Sequence, residues 1–305
     1  MLVKDRNGLI DDKLNKNKTS RRQRFIRFII IVSLVVLVLL AIFWQQQILR
    51  HTSKLEVVFL EVGQGDATLL KLPDKSRVLV DGGPDNVILH RLGEELFFYE
   101  RRLDFLVVSH FHDDHIAGFI EIMRRYRVGA LVYAAGLEAG VLGEILLEEA
   151  KRLDVDTIII EGEGKISFSA SFISEECILQ FFNPLALGVK PDSNNSLLTK
   201  LNCASLKFLF AGDNEEKTEA MLLSSDFDLR ADIFKASHHG SKTSNRQDFL
   251  GAINPKIMVI PVGENNKFNH PSQETLLIAE NLDIEIRRTD KEGTIRFRIN
   301  LANIK

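Results

Sequence analysis

Ser109-His110-Phe111-His112-Asp113-Asp114-His115-Ile116-Ala117-Gly118, SHFHDDHIAG, puts three imidazoles and two carboxylates into the six positions 110–115. Crowding such groups costs free energy unless a cation or a dense hydrogen-bond network rewards it. A solvated loop with scattered histidines is the plainer alternative. Against it, three of the chain's eight histidines lie in this hexapeptide, and two more form the pair His238-His239. Neutral imidazole nitrogen together with carboxylate oxygen is a donor set suited to zinc or another first-row divalent ion. In an extended loop His110 and His112 project together, while Asp114 and His115 turn elsewhere. Two ions a few ångströms apart are therefore expected rather than one. A two-ion centre needs a bridging anion, and Asp213, directly after the run KFLFAG, is the candidate.

Working outward, the polar clusters Asp81-Gly82-Gly83, 109–115, Gly212-Asp213 and Ser237-His238-His239-Gly240 each follow an apolar run. Loops at the ends of rigid strands can converge on one rim and carry function. The apolar pattern predicts strands at 55–62, 67–72, 77–82, 105–109, 129–133, 156–160, 166–173, 176–182, 197–202, 205–211, 231–237, 257–262, 284–288 and 294–299. Helices are predicted at 87–100, 116–127, 139–153, 214–224, 245–252 and 272–281. Strands interspersed with helices imply a layered α/β domain with mixed sheets and helices on the outer faces.

The first fifty residues differ in character. Residues 1–49 carry nine Lys/Arg against three Asp, so with the whole chain at −3, residues 50–305 carry −9. An acidic bulk argues against broad electrostatic adhesion to duplex DNA. Phe25 to Trp44, FIRFIIIVSLVVLVLLAIFW, is apolar apart from Arg27 and Ser33, and about 20 residues is the length that crosses a bilayer as a helix. Its β-branched residues cover every helical face, which disfavours a buried core helix, and no small-residue cleavage site follows it. The sequence thus reads as a basic cytoplasmic tail at 1–24, a transmembrane anchor at 25–47 and one large domain at 55–305. Six Lys/Arg in the fifteen residues before Phe25, against two in the fifteen after Trp44, place the N-terminus in the cytoplasm and the large domain outside. The two cysteines, Cys177 and Cys203, match no metal spacing. A disulfide and two free thiols on neighbouring strands both remain open.

The residues also carry a resemblance. His110-Phe111-His112-Asp113-Asp114-His115 resembles the HxHxDH signature of the metallo-β-lactamase superfamily. FLEVGQGD (59–66), VDGG (80–83), NNS (194–196), FAGD (210–213), HHGSKTS (238–244) and NHPS (269–272) follow in the order seen in the extracytoplasmic domain of ComEC-type competence proteins. The resemblance covers roughly residues 55–300. It implies a four-layer αββα sandwich, here preceded by one transmembrane helix, and a hydrolase using two divalent ions, Zn²⁺ or Mn²⁺. By that resemblance His110 and His112 hold metal one, Asp114, His115 and His238 hold metal two, and Asp213 bridges them. Asp114 and His239 are the catalytic candidates, His239 as acid or substrate contact, although the sequence barely separates it from His238. Asp81 is expected to accept the second N–H of a ligand histidine, with Asp66 close by; a turn aspartate is the alternative reading of Asp81. Asn194, Asn195, Ser241, Lys242 and His270 are candidates for binding phosphodiester oxygens.

Two departures from the pattern matter. The ComEC type carries a multi-span channel, whereas this chain has one apolar span, so a separate channel protein is the implied partner for DNA uptake. The third histidine that many superfamily members supply to metal one is missing, since no histidine lies between Ile116 and Gly212. A phosphodiesterase acting on single-stranded DNA heads the functional expectations. Hydrolysis of a lactone, amide or choline-phosphate ester uses the same centre, and a non-catalytic metal-binding accessory module is the third reading. The sequence leaves the oligomeric state open.

Overall fold

A computed structural model describes residues 25–45, 54–168, 176–188, 192 and 194–301. The expected basic tail 1–24, anchor residues 46–47, the end of the predicted strand 166–173 and residues 302–305 lie outside these. The chain divides into two units between His51 and Thr52. In the first, helix α1 (Phe25–Gln45) is 21 residues long, fully exposed and apolar enough to cross a bilayer.

The second unit is built on two seven-stranded sheets. In the first sheet β1 (Lys54–Phe59) lies between β14 (Ile295–Asn300) and β2 (Thr68–Lys71). Next come β3 (Arg77–Val80), β4 (Arg102–Val107), β5 (Arg127–Ala134) and β6 (Asp156–Ile160). In the second sheet β7 (Glu163–Phe168), β8 (Cys177–Phe182), β9 (Leu198–Cys203) and β10 (Leu206–Phe210) are antiparallel neighbours. They continue into β11 (Ile233–Lys235), β12 (Ile257–Ile260) and β13 (Glu285–Arg288), parallel to β10.

Strand periodicity explains the layers. Along β1 and β3, Leu55, Val57, Phe59, Val78 and Val80 point between the sheets, while Val58 and Leu79 point outward under helices. Phe208, Phe210 and Val259 meet the first set from the other sheet, and Leu209, Phe234 and Met258 face the opposite outer layer. Strands buried on both faces read as unbroken apolar runs, as those of covered parallel sheets do. Helices α2 (Val87–Glu95), α3 (Asp113–Arg125) and α4 (Gly140–Arg152) cover the first sheet. Helices α5 (Glu216–Leu223), α6 (Gln247–Ile253) and α7 (Gln273–Asn281) cover the second. The result is the expected αββα sandwich.

Three differences from the sequence-based expectation affect the site. Helix α3 begins at Asp113, not 116, with His112 at its N-cap and Asp113 and Asp114 in its first turn. Carboxylates there complement the partial positive charge of the helix start. Helix α2 stops at Glu95, leaving residues 96–101 as a turn before β4 that buries Leu96 and exposes 97–99. A short 3-10 turn, Ser237–Gly240, replaces the end of the predicted strand 231–237. Cys177 and Cys203, in register on β8 and β9, are joined as a disulfide, which settles the alternative left open.

Candidate metal centre

Strands β1, β3 and β4 run parallel to one another, as do β10, β11 and β12, and the polar loops leave their C-terminal ends. The loops from β3 and β4 interlock through their backbones. The Gly82 N–H donates to His115 O at 2.6 Å, and the Gly118 N–H donates to Gly83 O at 3.2 Å. A Cβ on Gly118 would meet Gly82 O at 2.1 Å, so only glycine lets α3 approach this closely. From the other sheet Gly212, at φ +56°, turns the chain beside Ser196, whose Cβ would lie 2.3 Å from a side chain there. The Ser196 hydroxyl accepts the Asp213 N–H at 2.9 Å and donates to Asn194 O at 2.9 Å.

The centre gathers on one atom. Asp213 Oδ2 lies 3.4 Å from His115 Nε2 and 3.8 Å from each Nε2 of His110, His238 and His239. His110, His115 and Asp213 form one group able to hold an ion; Asp114, His115 and His239 form another. His110 Nε2, His115 Nε2 and Asp213 Oδ1 are buried with no hydrogen-bond partner among the described residues. Orphaned buried nitrogens and oxygens that face one another fit divalent cations, because leaving them unpaired carries a desolvation cost. His112 stands edge-on to His110, with ring centroids 4.4 Å apart.

The outer contacts fix the ring orientations. Asp81 Oδ2 accepts from His115 Nδ1 at 2.9 Å, leaving Nε2 toward the centre. The same carboxylate accepts the Ser109 N–H at 2.9 Å and the Ser109 hydroxyl at 2.8 Å. His239 donates through Nδ1 to Pro261 O at 3.0 Å, and its Nε2 lies 3.2 Å from Asp114 Oδ2. Of the histidine pair, His239 is therefore the one brought to Asp114 and His115. His238 is partly exposed, with Nδ1 3.2 Å from Glu215 Oε1. Both adopt left-handed backbone angles, φ 50° and 51°, held by the His238 N–H donating to Gly212 O and by Asn245, whose amide pairs with the Ser237 backbone.

The electrostatics are those of an excess of carboxylate. Burial opposes charge on His239, yet the carboxylates of Asp213, Asp66 and Asp114 outweigh it and hold the imidazole up to about 10. Burial likewise opposes charge on His115, and Asp213 and Asp81 raise it well above the ordinary value. Burial and the neighbouring His115 push His110 well below it. Protons on these rings balance the carboxylates in the way that cations would, and bound metal would displace them.

Two contributors lie outside the motifs. Lys235, on β11, is buried and pairs with Asp66 while donating to Gly212 O at 2.9 Å; its Nζ is 3.8 Å from Asp213 Oδ1. The available signal was a lysine in register with the core-facing Ile233 of an otherwise apolar strand. Glu215 had no distinguishing signal. Among the substrate-binding candidates, Lys242 is exposed, and His270 faces His238 with centroids 5.6 Å apart. Burial, with the adjacent His238, lowers His270 to about 4. Asn194 is half-buried beside Ser196. Asn195 is turned into its own loop, accepting from Thr218 Oγ1 and donating to Asp192 O, and the buried Ser241 pairs with Thr243. Both side chains thus make hydrogen bonds within the framework.

Residues 60–174 match the metallo-β-lactamase superfamily model. The chain carries a domain of the metallo-β-lactamase fold. It is 28% identical over 266 residues to ComE operon protein 3 of Bacillus subtilis (strain 168), covering 81% of this chain and 33% of that protein. It is 26% identical over 207 residues to competence protein ComA of Neisseria gonorrhoeae, covering 67% of this chain and 26% of that one. Both are competence proteins of the ComEC type. The chain spans about a third or less of the length of the curated relatives it matches. In fold it is similar to the metallo-β-lactamase fold protein YhfI of Bacillus subtilis, with a TM-score of 0.52 and 12% identity over 81% of this chain and 100% of that one. Metallo-β-lactamase domains generally bind divalent metals, usually two.

Proposed function

We propose that the chain is a membrane-anchored, dinuclear-metal phosphodiesterase acting outside the membrane, with single-stranded DNA in uptake as its substrate class. The observation that carries this reading is Asp213 Oδ2 within 3.8 Å of four imidazole nitrogens, the position of a bridging ligand. In this reading His110 and His112 hold one ion, and Asp114, His115 and His239 hold the other. His239 takes the role the sequence favoured for His238, because its Nδ1 is fixed by Pro261 and its Nε2 faces Asp114. Two divalent ions held there, Zn²⁺ or Mn²⁺, would supply Lewis acidity at phosphorus and lower the pKa of bound water to about 7.

The chain's own groups do the rest. His238, partly exposed and oriented by Glu215, donates a proton to the leaving oxygen, a carboxylate–imidazole arrangement that fixes the tautomer. In this reading the exposed Lys242 meets phosphate charge, and the His270 ring, neutral near pH 7 and set against His238, offers an N–H. Helix α1 and the basic asymmetry around it support an anchor with the domain outside, and a separate channel protein as partner. The similarity to competence proteins supports DNA as substrate.

The test is to incubate the purified chain with single-stranded DNA, bis(p-nitrophenyl) phosphate and a lactone, with Mn²⁺ or Zn²⁺. Metal-dependent cleavage of both phosphodiesters is expected. Turnover of the lactone alone would transfer the centre to carbonyl chemistry, and no turnover of any substrate would leave an accessory role.

A further inference from the structure

The turn between α2 and β4 exposes three consecutive aromatic side chains. Phe97 is 64% exposed, Phe98 85% and Tyr99 67%. Among the described residues of 54–301 the other exposed large apolar side chains are Val141 and Ile145, one turn apart on α4, and the separate Ile159, Met221, Phe268 and Leu277. Isolated exposed apolar residues need no explanation, whereas a contiguous aromatic patch marks an interaction surface. The turn is also built, not loose. Phe97 stacks on Tyr99, with centroids 5.5 Å apart, and Phe98 meets Tyr99 edge-on at 5.3 Å. The Phe97 N–H donates to Glu100 Oε2 at 3.1 Å, and Glu100 is paired with Arg77.

The sheet fixes where this turn lies. Strands β1, β3, β4, β5 and β6 run parallel, so their N-terminal ends share one rim and the metal-centre loops leave the other. The aromatic turn immediately precedes β4 and therefore sits on the N-terminal rim, where Lys54 opens β1. Three strand spacings, roughly 14 Å, separate β1 from β4. Only residues 46–53 lie between Gln45 and Lys54, a covalent reach of about 30 Å at most. Arginines flank the turn on this rim. Arg101 and Arg127 are exposed and make no ion pair among the described residues, Arg102 pairs in register with Arg127, and Arg101 donates to Phe98 O at 3.4 Å over the aromatic turn. Aromatic rings flanked by arginine suit the lipid headgroup boundary, where rings enter and guanidinium groups meet phosphate.

We infer that Phe97, Phe98 and Tyr99, with Arg101 and Arg127, dock the domain onto the surface of the bilayer that holds α1. This rests on the proposed anchor. Docked so, the rim that carries the metal centre faces away from the lipid, separated from it by the length of β4, roughly 20 Å. Substrate then reaches the centre from the aqueous side, and the anchor's short connection is satisfied.

The experiment uses the full chain reconstituted in phosphatidylcholine–phosphatidylglycerol vesicles whose acyl chains carry bromine, a contact quencher of tryptophan. The sole tryptophan of the chain, Trp44, reports the anchor. Trp44→Phe combined with Phe98→Trp reports the rim, and Trp44→Phe combined with Phe268→Trp reports the opposite rim. Tryptophan emission from positions 44 and 98 should be quenched, and emission from 268 should not. Adding Arg101→Glu and Arg127→Glu to the position-98 reporter should lessen its quenching. Quenching of Trp44 with a fully water-exposed spectrum at 98 would overturn the docking surface and leave the anchor standing, a result also expected if a protein partner covers the patch. Quenching at 98 without Trp44 would remove the anchor and keep the surface. Quenching at neither overturns both.

Discussion

Lys235 and Asp66 form a wholly buried ion pair that ties the second sheet to the loop after β1, across 169 residues of sequence. Burial opposes ionisation of Asp66, but Lys235 and His239 outweigh it and hold the carboxyl down to about 2. Removing one partner of such a pair strands the other charge, while removing both leaves a neutral gap. Lys235→Met should therefore destabilise the domain by roughly 3–5 kcal/mol, and Lys235→Met with Asp66→Asn should recover much of that. Urea unfolding of the four members of the cycle measures it. A single variant as stable as wild type would show that water reaches the pair.

The contact of Asp81 with His115 yields a second expectation. Asp81 holds the Nδ1 proton of His115 and also receives the Ser109 N–H and hydroxyl. Asp81→Asn keeps the size and loses one acceptor, so the ring is less firmly turned to the centre. Metal affinity should fall by about 10- to 100-fold, the usual cost of such an outer contact. Competition against a chromophoric chelator reads this without reference to turnover. Unchanged affinity would assign Asp81 to the turn alone.

Most of the sandwich and much of the centre were legible because strand-end motifs and apolar runs share one period. Asp81, Asp114, His115 and Asp213 stand together as the sequence suggested, since each follows a strand of fixed direction. What escaped was conformational. Nothing in Ser237-His238-His239-Gly240 announces two successive left-handed residues, and that backbone decides which imidazole turns to Asp114. Lys235 was hidden inside a strand whose alternation placed it toward the core, where a lysine is admitted only with a buried carboxylate from a distant segment.

Glu219 supports that same histidine turn from below. It accepts the N–H groups of Asn245 and Arg246, and Asn245 in turn pairs with the Ser237 backbone. Burial holds its carboxyl up at about 7 against those N–H groups, which favour the anion. Between the ordinary carboxylate value and pH 7 the folded chain keeps a proton that the unfolded chain has lost. This contribution is complete at acid pH and declines as pH rises through 7, by up to roughly 3 kcal/mol. Glu219→Gln cannot titrate, so its urea midpoint should change less between pH 5 and pH 8 than that of wild type. Parallel pH profiles for the two proteins would exclude Glu219 as the source.

The missing third histidine leads to the last expectation, that the two metal sites are unequal. In the proposed centre Asp114, His115, His239 and Asp213 would offer one ion four protein ligands, the number zinc favours. The other would have His110, His112 and Asp213. The loop that would supply a replacement is otherwise engaged: the Asn195 amide faces Thr218 and Asp192, and Asn194 O accepts the Ser196 hydroxyl. With one protein ligand fewer, this site should bind Zn²⁺ more weakly. Titrating metal into the stripped protein should give one tight and one weak step, with His110→Ala removing the weak step first. His238 is a further imidazole beside Asp213, its Nε2 3.8 Å from Oδ2. If His238→Ala also abolished the weak step, that histidine would be the missing ligand. It would then not be the proton donor, and the inequality would have to come from geometry and not from ligand number.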